Sequence, residues 1–206
     1  MKCIHRKLRK SGECLRLELN NKTRNWRDIS YLKNGNSRQQ KVYQILKETE
    51  ILERLSDFSP IVVGTIPLAI DIPTSDLDIV CQFDENKEEI EEILVDYYGN
   101  YDRFKITQMG IDAYAYNFWL NDYEIAVYAS KVPTERSNSY RHLLIGERLL
   151  NLYGESFKEK VIQLKKAGYQ TERAFSKLLN LHGEIYEAIF IVEEFSDEEL
   201  LKLRSF

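Results

Sequence analysis

The sequence predicts a mixed α/β protein of the α+β kind: a small mixed sheet flanked by helices, followed by a helical C-terminal part. Three observations predict it. Apolar residues recur at helical three- and four-residue steps in some segments and form unbroken or alternating runs in others, all between residues 25 and 136. Two extended runs, 112–120 and 123–129, are separated only by Asn121 and Asp122, which suits a hairpin turn. From Ser137 onward the pattern is helical to the end. With 206 residues, 43% hydrophobic and 30% charged, the chain can bury a sizeable core and is not of disordered composition.

In chain order, Asn36 and Ser37 offer caps for an amphipathic helix with Val42, Ile45, Leu46, Thr49, Leu52 and Leu55 on one face, ending before Ser59-Pro60. Ile61-Val62-Val63 is a short apolar strand stopped by Gly64-Thr65. Pro67 and Pro73 make the next segment a loop, and DLDIVCQF (76–83) reads as a second strand. Residues 84–99 form an acidic helix with Ile90, Ile93, Leu94, Tyr97 and Tyr98 on one face. Three extended runs follow, 101–108, 112–120 and 123–129. In the helical part, Tyr153-Gly154 and Ala167-Gly168 are exits, Thr171 is a cap, and Ser196 with Glu199 forms a capping box.

Charge is unevenly spread. Residues 1–27 hold nine Lys and Arg against two Glu, or +7, which leaves 20 against 31, or −11, for the rest. So acidic a body disfavours a long nucleic acid as partner, because phosphate contacts need Lys and Arg. Residues 1–24 are read as a basic, solvated tail, residues 25–136 as the core, and 137–206 as a helical region. No stretch reaches the ~18 apolar residues of a membrane helix, and no apolar run follows the basic MKCIHRKLRK as a secretory signal requires. Three cysteines, an odd number, fit a reducing, cytoplasmic setting. Cys3, His5 and Cys14 lack zinc-site spacing.

The chemistry concentrates in VGTIPLAIDIPTSDLDIVCQF (63–83). Alternation along a strand puts Asp76 and Asp78 on one face and Leu77 and Ile79 on the other. Two carboxylates so placed repel each other without a cation, and hard oxygen donors suit Mg²⁺. Backbone amides at Gly64 and Thr65 can receive phosphate oxygens, with no Cβ at Gly64 to obstruct them. A lone Asp-x-Asp is common on solvated strand ends. Its place on an apolar strand, ten residues after Gly-Thr and directly after Ser75, is what makes it specific.

This stretch resembles the signature of the polymerase-beta-like nucleotidyltransferase superfamily: Gly then Ser or Gly at a strand end, a hook of about ten residues, Asp-hydrophobic-Asp, and a third acid on a later strand. From about Trp26 onward the chain also resembles a bacterial family catalogued as domain of unknown function 4269, which brings relatives and no reaction. The superfamily resemblance implies a mixed sheet flanked by helices and transfer of a nucleotidyl group from an NTP to a hydroxyl. It further implies two Mg²⁺ ions, or Mn²⁺, on Asp76, Asp78 and a third acid, with Gly64, Thr65 and Ser75 on the nucleotide. Glu124, flanked by apolar residues at the start of a strand, best matches the third acid. Asp122 and Asp112 are the alternatives.

Many relatives carry Arg and a second Gly in the hook, where this chain has Ile66, Pro67, Leu68 and Ala69. A cation must then come from elsewhere. Lys131, Arg136, Arg141 and Arg148 are candidates, and Arg141, in the first turn of the helix after the Glu124 strand, is preferred. His142 is a candidate base, and an ordinary helix histidine on the blander reading. Tyr114, Tyr116, Phe118 and Trp119 offer a wall for a nucleobase, half of it core by alternation. The expected function is nucleotidyl transfer from an NTP to an unidentified acceptor. The alternative is an inactive nucleotide-binding or protein-interaction module of the same fold.

Overall fold

The computed structural model describes residues 24–85, 87–183 and 188–203. The basic segment 1–24 lies outside these but for Arg24, as do Cys3, His5 and Cys14. Arg24 stacks its guanidinium over the Trp26 and Tyr31 rings, 5.0 and 4.7 Å from their centroids. A short helix, α1 (Ser30–Lys33), precedes α2 (Ser37–Thr49). Asn36 caps α2 through a capping box: its side chain accepts from the Gln39 backbone N–H, and the Gln39 side chain accepts from the Asn36 N–H. The single helix expected as far as Leu55 is broken at Glu50, whose φ is +53°. The break swings α3 (Ile51–Arg54) so that Ile51 and Leu55 stay buried with Val42, Ile45 and Leu46.

The strands are β1 (Ile61–Val63), β2 (Leu77–Gln82), β3 (Asp102–Gly110), β4 (Ala113–Leu120) and β5 (Tyr123–Ser130), with α4 (Glu88–Tyr98) between β2 and β3. They form one mixed sheet in the order β1-β2-β5-β4-β3, in which only β2 and β5 run parallel. The β4–β5 hairpin turns at Asn121-Asp122 as expected, with Asn121 left-handed at φ +54°.

One face of the sheet carries Val62, Leu77, Ile79, Tyr116, Phe118, Ile125 and Val127 and is buried with residues of α2 and α4. Tyr98 stacks on Phe118 with centroids 5.0 Å apart, and its hydroxyl donates to the Thr49 carbonyl at 2.8 Å. Tyr97, expected on the same face, is 52% exposed, because successive helix residues point about 100° apart.

The opposite face is covered at one end only. There Ile61, Val63 and Val80 pack with Leu143 of α5 (Asn138–Tyr153). Farther along, Asp78, Ala126, Asn117, Glu124 and Trp119 are half-exposed. After α5 come α6 (Glu155–Lys166), α7 (Thr171–Leu178), a 3-10 segment (Ile189–Glu194) and α8 (Asp197–Lys202). With α5 they enclose a second core that contains Leu149, Phe157, Val161, Phe175 and Val192, and also Ile70 from the loop after β1. Ser196 and Glu199 form the expected capping box, whereas Thr171 is the first helical residue and Gln170 occupies the cap. Among the described residues no helix is long and apolar enough to cross a membrane.

Candidate functional site

Strand register assembles the site. Val63 of β1, Asp78 of β2, Ala126 of β5 and Asn117 of β4 lie in one cross-strand row. Leu77 pairs with Ile125, so continuing that register by one residue sets Asp76 beside Glu124, which itself faces Trp119. Asp76, Asp78 and Glu124 therefore share the half-covered face. Gly64 turns the chain out of β1 with φ +78°, and a Cβ there would stand 2.1 Å from Asp78 Oδ2. The glycine thus makes room for the Asp78 carboxylate itself, not only for an incoming phosphate. Gly64→Ala meets both a disfavoured φ and this collision, and is expected to lower unfolding stability by about 2–4 kcal/mol in a denaturant titration.

The acids are electrostatically crowded. The Asp78 carboxyl is pushed up to about 7, first by burial, then by the Asp76 charge, while Lys165 opposes the shift and Glu172 and Glu124 add to it. Asp76 is also raised, by burial and then by Glu124, against the pull of Arg38. The donor set is hard oxygen and short of positive charge, so it suits a divalent cation chemically. Its geometry is open: Glu124 Oε1 accepts from Asn117 Nδ2 at 3.0 Å. Among the described residues, no group of three or more His, Cys, Asp or Glu stands as a metal cluster.

Other expected residues are placed differently. Arg141 is drawn off by Glu193, with Nη2 at 2.6 Å and Nε at 3.0 Å from its carboxylate, and lies 3.8 Å from the Phe190 ring centroid. It is paired with the C-terminal segment, whereas the expectation placed it on phosphate. Lys131 pairs with Asp112 at 3.4 Å, and Arg148 with Asp197 and two carbonyls. Ser75 closes the hook: its hydroxyl accepts from the Ile72 N–H at 3.0 Å, and its carbonyl accepts from Arg38 at 2.7 Å. Tyr114, Tyr116 and Phe118 face or pack against the core, leaving Trp119, with Arg103 4.8 Å from its ring centroid, on the acid face.

Two cations that sequence reasoning missed serve this region. Arg38, at the start of α2, reaches Asp71 at 3.2 Å. Lys165, on α6, is only 6% exposed. Its ammonium makes no ion pair or hydrogen bond among the described residues, and the charges acting on it are Asp71, Glu172 and Asp78. Burial outweighs them and brings it down to about 8. The missed signal was legible: Lys165 continues the buried Phe157–Val161 stripe at a four-residue step.

A family model described as Domain of unknown function (DUF4269) matches residues 44–192. The chain belongs to the DUF4269 family. The DUF4269 match runs from within α2 into the 3-10 segment, and so takes in Gly64, the three acids and Lys165. A search of curated proteins found no match.

Proposed function

We propose that the protein is a metal-dependent nucleotidyltransferase of polymerase-beta-like fold, moving a nucleotidyl group from an NTP to an acceptor hydroxyl. The observation that carries this reading is Asp78 seated over Gly64, at the end of β1, on one face with Asp76 and Glu124. The order helix, strand, Gly-Thr, hook, Asp-Leu-Asp, with β5 parallel to β2, supports the fold. Asp76, Asp78 and Glu124 would hold Mg²⁺ or Mn²⁺, which supplies charge neutralisation for the acceptor oxygen and the pyrophosphate. Amides and the hydroxyl at Gly64-Thr65 would orient phosphate oxygens. Lys165, a largely buried lysine with no ion pair among the described residues, would meet the phosphate charge that the hook residues Ile66 and Leu68 do not. Trp119 offers the nucleobase a ring.

A second reading, a nucleotide-binding module without catalysis, is favoured by the hook, where Ile66 is 1% exposed and residues 66–75 contain no Lys or Arg. Pyrophosphate release separates the two readings. Mg²⁺ with an NTP is expected to raise the unfolding midpoint, by the equivalent of about 2.7 kcal/mol at a hundredfold excess over Kd. Every NTP failing with both Mg²⁺ and Mn²⁺ refutes both readings. Stabilisation without pyrophosphate release, whatever hydroxyl is supplied, leaves the second.

A further inference from the structure

Between the sheet and the C-terminal helices lies a cavity of about 290 Å³ that reaches Gly64, Thr65 and Asp78 at one end. Its floor is made small by Ala115 and Ala126, and its roof carries His142 of α5 and Glu172 of α7. His142 Nδ1 stands 3.2 Å from Glu172 Oε1. Burial works against ionisation of Glu172, but the hydrogen bond from His142 and one from its own backbone N–H outweigh it, so the carboxylate is held below the usual range. An ionised acceptor facing Nδ1 holds a proton there, and the tautomer this selects has Nε2 as its basic nitrogen. Nε2 is buried and has no hydrogen-bond partner among the described residues. The ring is clamped against Phe190, centroids 4.7 Å apart and planes 18° from parallel, and the Arg141 guanidinium also lies over Phe190. A buried ring nitrogen without a partner costs stability unless something occupies it.

We propose that this cavity is the acceptor site, that the acceptor is a small hydroxyl-bearing molecule with an apolar body, and that His142 takes its proton. The proposal rests on the nucleotidyltransferase reading. The apolar walls, Leu68, Leu143, Phe175 and Ile189, suit the body, and Ser139 and Thr171 offer hydroxyls to its polar groups. The volume is at the small end of ligand sites and helices lie over it, which suits a small molecule better than an RNA end. In the step itself the acceptor O–H proton passes to His142 Nε2. The oxygen forms a bond to the α-phosphorus as the bond to pyrophosphate breaks, and pyrophosphate leaves with that electron pair. The imidazolium, stabilised by Glu172, then returns its proton to water. Glu172 is a positioning residue.

The test uses the full chain with Mg²⁺ and α-³²P-labelled NTPs. Three probes are supplied separately: a deproteinised cell extract under 1 kDa, total RNA, and a desalted protein fraction. Label is expected in the small-molecule extract, with matching pyrophosphate release. His142→Gln is expected to slow transfer at least 100-fold while Mg–NTP affinity stays within threefold. Glu172→Gln should slow transfer about tenfold with an unchanged acceptor KM, and it stands in should His142→Gln fail to fold. Label on RNA or protein overturns the proposal, as does transfer by His142→Gln within threefold of wild type. Absence of label from all three probes while Mg–NTP still binds overturns it and leaves nucleotide binding standing. Failure of Mg–NTP to bind the wild type brings down the underlying reading as well.

Discussion

Lys165→Met is expected to give a chain that is harder to unfold and yet binds Mg–NTP 10- to 100-fold more weakly. Two opposite signs come from one ammonium. In the absence of ligand Lys165 is largely buried and its ammonium makes no ion pair among the described residues, and its folded-state value of about 8 lies below the ordinary 10.5 of lysine. A lysine lowered on folding is a penalty fully present below about pH 8, and it fades as pH rises toward the unfolded value. Met fills the same length without charge, so the gain at pH 7 should be about 1–3 kcal/mol and should shrink as pH rises from about 8 toward 10.5. In the liganded state a charge-assisted contact to phosphate disappears, which is the expected loss in affinity. Paired urea titrations and nucleotide isotherms check both. A destabilised variant with wild-type affinity would make Lys165 a structural counter-ion to Asp71, Glu172 and Asp78, and nothing more.

Asp78→Asn is expected to abolish stabilisation by Mg–NTP and, in chelator without ligand, to flatten part of the pH dependence of stability. The native Asp78 carboxyl titrates at about 7 against an ordinary 3.8. Between those values the unfolded chain has lost the proton and the native chain keeps it. Raising pH across that window therefore destabilises the wild type, and the loss is complete above about pH 7. Asparagine preserves the shape and cannot ionise. At pH 8 the variant should be about 2–4 kcal/mol more stable than wild type, and the difference should vanish near pH 4. Equal stability of the two proteins at pH 8 would mean that water or a rearranged Lys165 already solvates the charge.

Much of this was legible in the sequence because it depends on local alternation. Asp76 and Asp78 share a face because a strand has a period of two. Asn121-Asp122 ends a strand because a left-handed residue fits there, and Ser196 finds Glu199 three residues on. The elements misjudged were those decided at a distance. Nothing local forces Glu50 into a left-handed turn; the gain is the burial of Ile51 and Leu55. Arg141 was expected near the acids from its distance along the chain after Glu124, whereas Glu193, 52 residues away in sequence, captures it. Lys165 stood at a core position of its helix in plain view, but the acids that explain it lie on β2, on the hook and on α7.

Ile70 belongs to the hook, yet its packing partners run as far as Leu200. During synthesis the strands of the sheet can emerge and pair while Ile70 still faces water, because Leu149, Phe157, Phe175 and Val192 follow it by about 80 to 120 residues. Arg38 and Gln39 of α2 already hold other parts of the hook, so it is the burial of Ile70 that waits for the helices. A ribosome-bound chain halted near residue 137 would hold its acids on a formed sheet beside a hook whose Ile70 still faces water, until the final helices close over it.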